Sequence, residues 1–261
     1  VTLPALNNWD STRTGLHRPA QVAAAIRKLA QPPLPNYAHL GLSVTRHGLE
    51  SGWLPNGTRV ALNFCAQRLT FHAGESEGWE LALAGHSQRT LAEAAQRTLA
   101  GSGSMIRMDM TSTADMDPLD IDPEQASDYA AALFSIYTAI ARVRARLLGA
   151  MSPVIVFPHE FDLSFLWFAR GSKERSDPHL NMGFSPGSPG LPRPYVYLYA
   201  YPIPAGWFDI RLPEPARWWR EGWHGVVIDY DALATVEDHE ALLESILQEV
   251  VEQSAARLAA G

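Results

Sequence analysis

The chain has 261 residues, 46% hydrophobic and 19% charged, which is ample apolar matter for a sizeable core. A formal net charge of -7 argues against a protein whose main work is binding a phosphate backbone, so no nucleic-acid partner is expected. A single cysteine, Cys65, excludes an intrachain disulfide and a CxxC metal site, and it suits a reducing compartment.

No apolar run reaches the roughly 18 to 20 residues that span a bilayer, and the opening VTLPALNNWD lacks the basic and apolar regions of a signal peptide. The expectation is a soluble cytoplasmic protein without a membrane partner. The first dozen residues read as an extended arm pinned by Trp9. LHRPAQVAAAIRKLAQPP then puts Val22, Ile26 and Leu29 on one helical stripe that ends at Pro32 and Pro33, with Pro19 in the first turn. On this helix His17 and Gln21 are four apart and share a face.

From Leu40 the period shifts to two. LGLSVTR, TRVALNFC with Val60, Leu62 and Phe64 inward, RLTFHA and WELAL read as antiparallel strands. Ser87 caps a helix from about Gln88 to Ala100 that Gly101 and Gly103 end, and MIRMDM reads as a further strand. Asp122, Pro123 and Gln125 form a variant capping box. Behind it Tyr129, Leu133, Ile136, Ile140, Val143 and Leu147 recur at helical spacing until Gly149. The basic group Arg142, Arg144 and Arg146 reads as a solvated helix face.

The longest apolar run follows, SPVIVFPHEFDLSFLWFARG. Alternation puts Phe161, Leu163, Phe165 and Trp167 on one face, and Asp162, Ser164, Leu166 and Phe168 on the other. A carboxylate among such neighbours requires a donor, a cation or water beside it. DPHLNMGFSPGSPGLPRP reads as a long loop, of the kind that forms lids or is disordered. YVYLYAY and GVVIDY are strands, and a last helix near Thr235 carries Leu243, Ile246, Leu247, Val250 and Leu258.

Strands in runs between long helices define an α+β fold, a mainly antiparallel extended sheet with the helices packed on one face. Residues 1–261 are read as a single domain, within which 1–118 and 119–261 can be two helix-strands-helix pseudo-repeats, although no residue-level repeat is visible.

The chain contains no P-loop, GxGxxG, GxSxG, HExxH or DxDxDG motif. Its chemistry-bearing residues are dispersed. His17, His39, Asp162 and His179 can supply a general base, its carboxylate orienter and a second acid, or a histidine-carboxylate ligand set. Structural roles at element ends are the competing reading for each histidine. His159 and Glu160, after Pro158, form a second candidate pair at an exposed turn.

Tyr195, Tyr197, Tyr199 and Tyr201 share one strand face, offering apolar walls tipped with hydroxyls, or else a half-buried strand. Trp207, Trp218, Trp219 and Trp223 suggest a protected sheet edge or a self-association surface.

LHRPAQ, NYAHLGLSVTRHGL, SPVIVFPHEFDLSFLWFARG, GFSPG and YLYAYPIPAGW stand in the order of the signature segments of a bacterial family, domain of unknown function 5996, which the chain resembles over most of its length. The resemblance implies an intracellular bacterial protein and carries no established activity. It matches His17 and Gln21 in the first helix, His39 before the first strand, Phe161, Asp162 and Leu163, and Gly183 with Phe184. The chain departs from the pattern at Arg18, Pro19 and Ala38, and at Ile155, Pro158 and His159.

Two readings result. One is a small-molecule binder or an acid-base or metal-assisted enzyme, with a cleft formed by His17, Gln21, His39, Asp162 and His179, and with Phe184, Tyr197, Tyr199 and Tyr201 as binding residues. The other is a non-catalytic homo-oligomer or partner-binding protein using its Trp and Tyr surface. No motif fixes a cofactor or metal.

Overall fold

The computed structural model of the protein describes residues 2–74, 78–101 and 107–260. The chain divides into two compact units: an N-terminal one of Leu6–Phe134 and Val156–Phe161, and a C-terminal one of Val1–Ala5, Ser135–Ile155 and Asp162–Gly261. The fold is α+β, and its strands form two sheets rather than one extended sheet.

In the N-terminal unit, helix α1 spans Asp10–Ala30 and starts directly after the buried Trp9, so Pro19 lies well inside it rather than in its first turn. Thr12, Leu16, Pro19, Ala20 and Ala23 are buried at helical spacing. A stripe holding a hydroxyl, a proline and two alanines carries little apolar signal, which is why the first turns read as an arm.

Strands β1 (Ser43–Thr45), β2 (Gly48–Trp53), β3 (Thr58–Asn63), β4 (Arg68–Ala73) and β5 (Trp79–Ala82) form a five-stranded antiparallel meander in chain order. The sequence pattern missed β2 because GLESGW holds two glycines and a carboxylate. Val60, Leu62, Leu69 and Phe71 are buried while their neighbours alternate toward solvent, and α1 packs on β2 and β3. One buried face per strand is what the period of two requires.

Helix α2, Gln88–Gly101, is capped by Ser87, whose Oγ accepts the Thr90 N–H at 3.2 Å. Of the expected strand MIRMDM, Met105 and Ile106 lie outside the described residues, and Met110 opens a 3-10 turn to Thr113. Helix α3 spans Pro123–Arg146 and passes from one unit to the other between Phe134 and Ser135. Asp122 Oδ1 accepts the Gln125 N–H at 2.9 Å. The reciprocal half of the box is absent, because Thr12 Oγ takes the Asp122 N–H and the Gln125 side chain donates to the Asn7 carbonyl. Strand β6, Ile155–Phe157, crosses back between Ile155 and Val156.

The C-terminal unit contains β7 (Asp162–Phe168), β8 (His179–Ser185), β9 (Tyr195–Tyr201), β10 (Arg217–Trp219) and β11 (Gly225–Asp229). The order across this sheet is β10-β11-β9-β8-β7-β6. The expected long loop is thereby corrected: its first half is β8, a strand between β7 and β9 with all seven residues buried. A strand covered on both faces lacks alternation, and its proline flanks reinforced the loop reading.

Helix α4 (Tyr230–Ala234) precedes α5 (His239–Ala260), so the last long helix starts four residues after Thr235. Leu243, Ile246, Leu247, Val250 and Leu258 are buried, α5 packs on β8 and α4 on β11. Arg142 and Arg146 stand on an exposed helix face, as expected, and are partnered there. Arg142 pairs with Glu240 and Glu244, and Arg146 with Glu244, each at 2.9 Å, joining α3 to α5.

Among the described residues no helix is long and apolar enough to cross a membrane. Replacing the α3 cap, Asp122→Ala, is expected to lower stability by about 1 kcal/mol in urea unfolding, because it leaves the Gln125 N–H without its acceptor.

Candidate functional site

The polar centre of the C-terminal unit follows from sheet register. Ser164 pairs with Gly183 and Gly183 with Tyr197, while Leu166 pairs with Asn181 and Asn181 with Tyr199. Paired residues share a face, so Asp162, Ser164, Asn181, Tyr195, Tyr197, Tyr199 and Tyr201 stand on one side of the sheet. Leu163, Phe165, Met182, Phe184, Val196 and Leu198 stand on the other. Phe184 is therefore buried on the face opposite the tyrosine row, with its ring 6.0 Å from Tyr230, and belongs to the core.

The carboxylate that required a donor has one. Tyr197 Oη donates to Asp162 Oδ2 at 2.5 Å and lies 3.2 Å from the Leu163 carbonyl. Burial raises the Tyr197 phenol well above its ordinary value, and the Asp162 charge and hydrogen bond push it further the same way, so it stays a neutral donor. This approach depends on Gly183. A Cβ there would lie 1.9 Å from the Leu163 carbonyl oxygen and 2.6 Å from Tyr197 Oη.

A second chain of bonds runs beside the first. Ser164 Oγ donates to Asn181 Oδ1 at 2.8 Å, and Asn181 Nδ2 donates to Tyr199 Oη at 2.7 Å. Tyr199 is raised by burial, with the Asn181 bond opposing and the charges of Glu174 and Asp162 adding.

Trp223 crosses this face, 6.3 Å from the rings of Tyr195 and Tyr197 and 6.4 Å from Tyr199. Its position needs Gly225, where a Cβ would meet the Trp223 ring at 2.4 Å and the Leu198 carbonyl oxygen at 2.6 Å. At the Tyr201 end a hollow of about 460 Å³ opens, lined by Tyr199, Ala200, Tyr201, Pro202, Ile203, Trp223 and His224.

The candidate histidines do not share this centre. His179 opens β8, buried, with Nδ1 2.8 Å from the Asp177 carbonyl and its ring 5.5 Å from Tyr201. It pairs across from Phe168, at the far end of β7 from Asp162, roughly 20 Å away at the rise of an extended strand.

His17 and His39 belong to the N-terminal unit. His39 Nδ1 accepts the Leu34 N–H at 3.2 Å and closes the 3-10 turn Pro35–Leu40. The named histidines and Asp162 are thus engaged separately. Among the described residues no three His, Cys, Asp or Glu side chains are grouped to hold a metal ion.

His17 has a well-built setting of its own. Its Nε2 is 2.6 Å from the Pro158 carbonyl oxygen, which can only accept, so that nitrogen carries the proton and the lone pair is on Nδ1. The Gln21 amide nitrogen lies 3.1 Å from the same ring nitrogen and cannot also donate to it; Gln21 Oε1 accepts from Gln88 Nε2 at 2.6 Å. The imidazole stacks on Phe161, with centroids 5.2 Å apart and planes at 14°.

Phe161 is in a turn closed by its N–H to the Phe157 carbonyl at 2.9 Å and has φ of 60°, outside the strand expected to include it. That conformation sends its ring to Tyr129 and Phe64. His159 and Glu160 are exposed on the same turn. Burial lowers the His17 pKa, opposed by the Pro158 carbonyl and the Glu160 charge, so His17 is a neutral base near pH 7.

These features define an α+β protein with a hydrogen-bonded tyrosine face in one unit and an oriented neutral imidazole in the other. The chain belongs to the family described as Family of unknown function (DUF5996), whose sequence model matches residues 2–260. No curated protein and no solved structure matches it.

The Gly183→Ala variant is expected to lose about 1 to 3 kcal/mol of stability through overpacking and to release the Tyr197 hydroxyl, seen as a lower tyrosine titration midpoint in ultraviolet difference spectra. For His17, whose folded pKa lies below the ordinary imidazole value near 6.5, the unfolded chain binds more protons at mildly acidic pH. Its stabilising contribution is therefore complete above pH 6.5 and falls as pH drops through that value toward the folded pKa. Imidazole carbon shifts from NMR should show the Nε2–H tautomer and a midpoint below 6.5; a higher midpoint contradicts the assignment.

Proposed function

We propose that the chain binds a small molecule in the hollow at the Tyr201 end of β9, with the tyrosine face as a preformed wall. The observation that carries this reading is the hollow itself, about 460 Å³ and walled by Tyr199, Tyr201, Ile203, Trp223 and His224. That volume is within the ordinary range for ligand sites, and apolar walls with a few fixed polar tips are their usual chemistry. The Tyr199 hydroxyl is already held by Asn181, so ligand binding does not have to order it.

The rival reading, self-association through the tryptophans, has less support. Trp218 packs 5.0 Å from both Trp207 and Phe208, while Trp219 donates to the Glu221 carbonyl and lies under Arg217. These rings are engaged within the chain.

Acid-base work at His17 is a second reading, favoured by a neutral imidazole of fixed tautomer. It stands or falls with the titration above.

A ligand-observed NMR screen of small neutral and charged fragments tests the first reading. Hits on the wild-type protein are expected to vanish with Trp223→Ala while the circular dichroism spectrum is kept. Fragments that bind both proteins equally, or none that bind, would remove it.

A further inference from the structure

We infer that the hollow takes a cation with an apolar shell, an alkylated ammonium group, recognised by the aromatic rings that line it. The inference rests on the binding role just proposed and adds the ligand's chemical class.

Its first support is geometric. Trp223 and Tyr199 both line the hollow, with centroids 6.4 Å apart and planes at 64°, and Tyr201 lines it as well. Rings set steeply to each other form a corner in which one compact cation meets two negative ring faces at once. A flat neutral ligand is better served by parallel walls, and the parallel pair here, Tyr197 and Tyr199 at 14°, is packed ring to ring with Tyr197 buried.

The second support is charge. Of the charged side chains that act on the Tyr199 hydroxyl, the carboxylate of Glu174 has the larger effect and that of Asp162 the smaller, Asp162 standing toward the Tyr195 end of the sheet and bonded to Tyr197. Arg220 lies over Phe208 at 4.2 Å, and Phe208 is 6.1 Å from His224. Its charge is thus set against an aromatic ring outside the lining residues. Among the described residues no carboxylate lines the hollow, a lining that suits an ammonium whose charge is spread over methyl groups better than one that needs a direct ion pair.

The test compares choline with its neutral carbon isostere, 3,3-dimethylbutan-1-ol, by saturation-transfer NMR on the methyl signals, with dissociation constants from titration of the full chain. Choline is expected to bind about tenfold more tightly than the alcohol, the size of a partly desolvated cation-π contact. Glu174→Gln should weaken choline about threefold and leave the alcohol unchanged, since only the charged ligand feels that carboxylate. Trp223→Ala should abolish choline binding.

Equal or tighter binding of the alcohol would overturn the cation assignment. So would choline binding that Glu174→Gln and Trp223→Ala leave intact, or an absence of choline binding. In each case the hollow's role as a binding site is decided separately, by whether any neutral fragment binds in a Trp223-dependent way.

Discussion

The bond from Tyr197 to Asp162 is the constraint on which the C-terminal unit depends. A half-buried carboxylate and a buried phenol meet across β8, a strand buried on both faces, and the buried phenol cannot be left without a partner. Their meeting fixes several things at once. The strand between them must lack a side chain at the crossing point, which is Gly183. The pairing of β7, β8 and β9 cannot slip by one residue, since a slip would turn Tyr197 into the apolar layer on the opposite face. The same register puts Asn181 between Ser164 and Tyr199, so the second bond chain is a consequence of the first.

In the N-terminal unit the corresponding role falls to Phe161. Its left-handed backbone costs on the order of 1 kcal/mol or more, and the ring it delivers into the cluster of Phe64 and Tyr129 offsets that cost. The turn closed at Phe161 also presents the Pro158 carbonyl to His17, so one local geometry fixes both the aromatic packing and the imidazole tautomer. Chemistry and core packing are the same feature here. A substitution at Phe161 that only disturbed packing would still change what His17 can do.

Much of this was legible in the sequence where the signal was local. The His17 and Gln21 contact follows from a spacing of four on a helix, and the tyrosine row from strict alternation in YVYLYAY. The need of Asp162 for a donor followed from burial alone. Its identity did not, because Tyr197 is 35 residues away and only the pairing through β8 brings it across. β8 was hidden by its uniform burial and its prolines, and with it went the means of seeing that His179 stands at the opposite end of β7. Grouping His17, His39, Asp162 and His179 by chemical type expressed what such residues do together, whereas register and turn geometry assign each its own partner.

Register also explains why the tyrosine face opens where it does. Tyr195 and Tyr197 are 5% and 8% exposed and Tyr201 is 46% exposed, so the row passes from core to surface along one strand. β11 accompanies β9 only from Tyr195 to Leu198, whereas β8 continues to Tyr201. Beyond Leu198 one edge of β9 has lost its strand neighbour, and Trp223, entering β11 through Gly225, covers the last paired tyrosines. Beyond them stand the half-buried Tyr199, fixed by the hydrogen bond from Asn181 and met edge-on by Trp223, and the exposed Tyr201, with His224 also in the lining. The hollow is therefore the place where a rigid, fully paired sheet runs out of partner strand. Of its walls, Tyr199 is held by the bond from Asn181, and this lets that part of an open surface keep a defined shape.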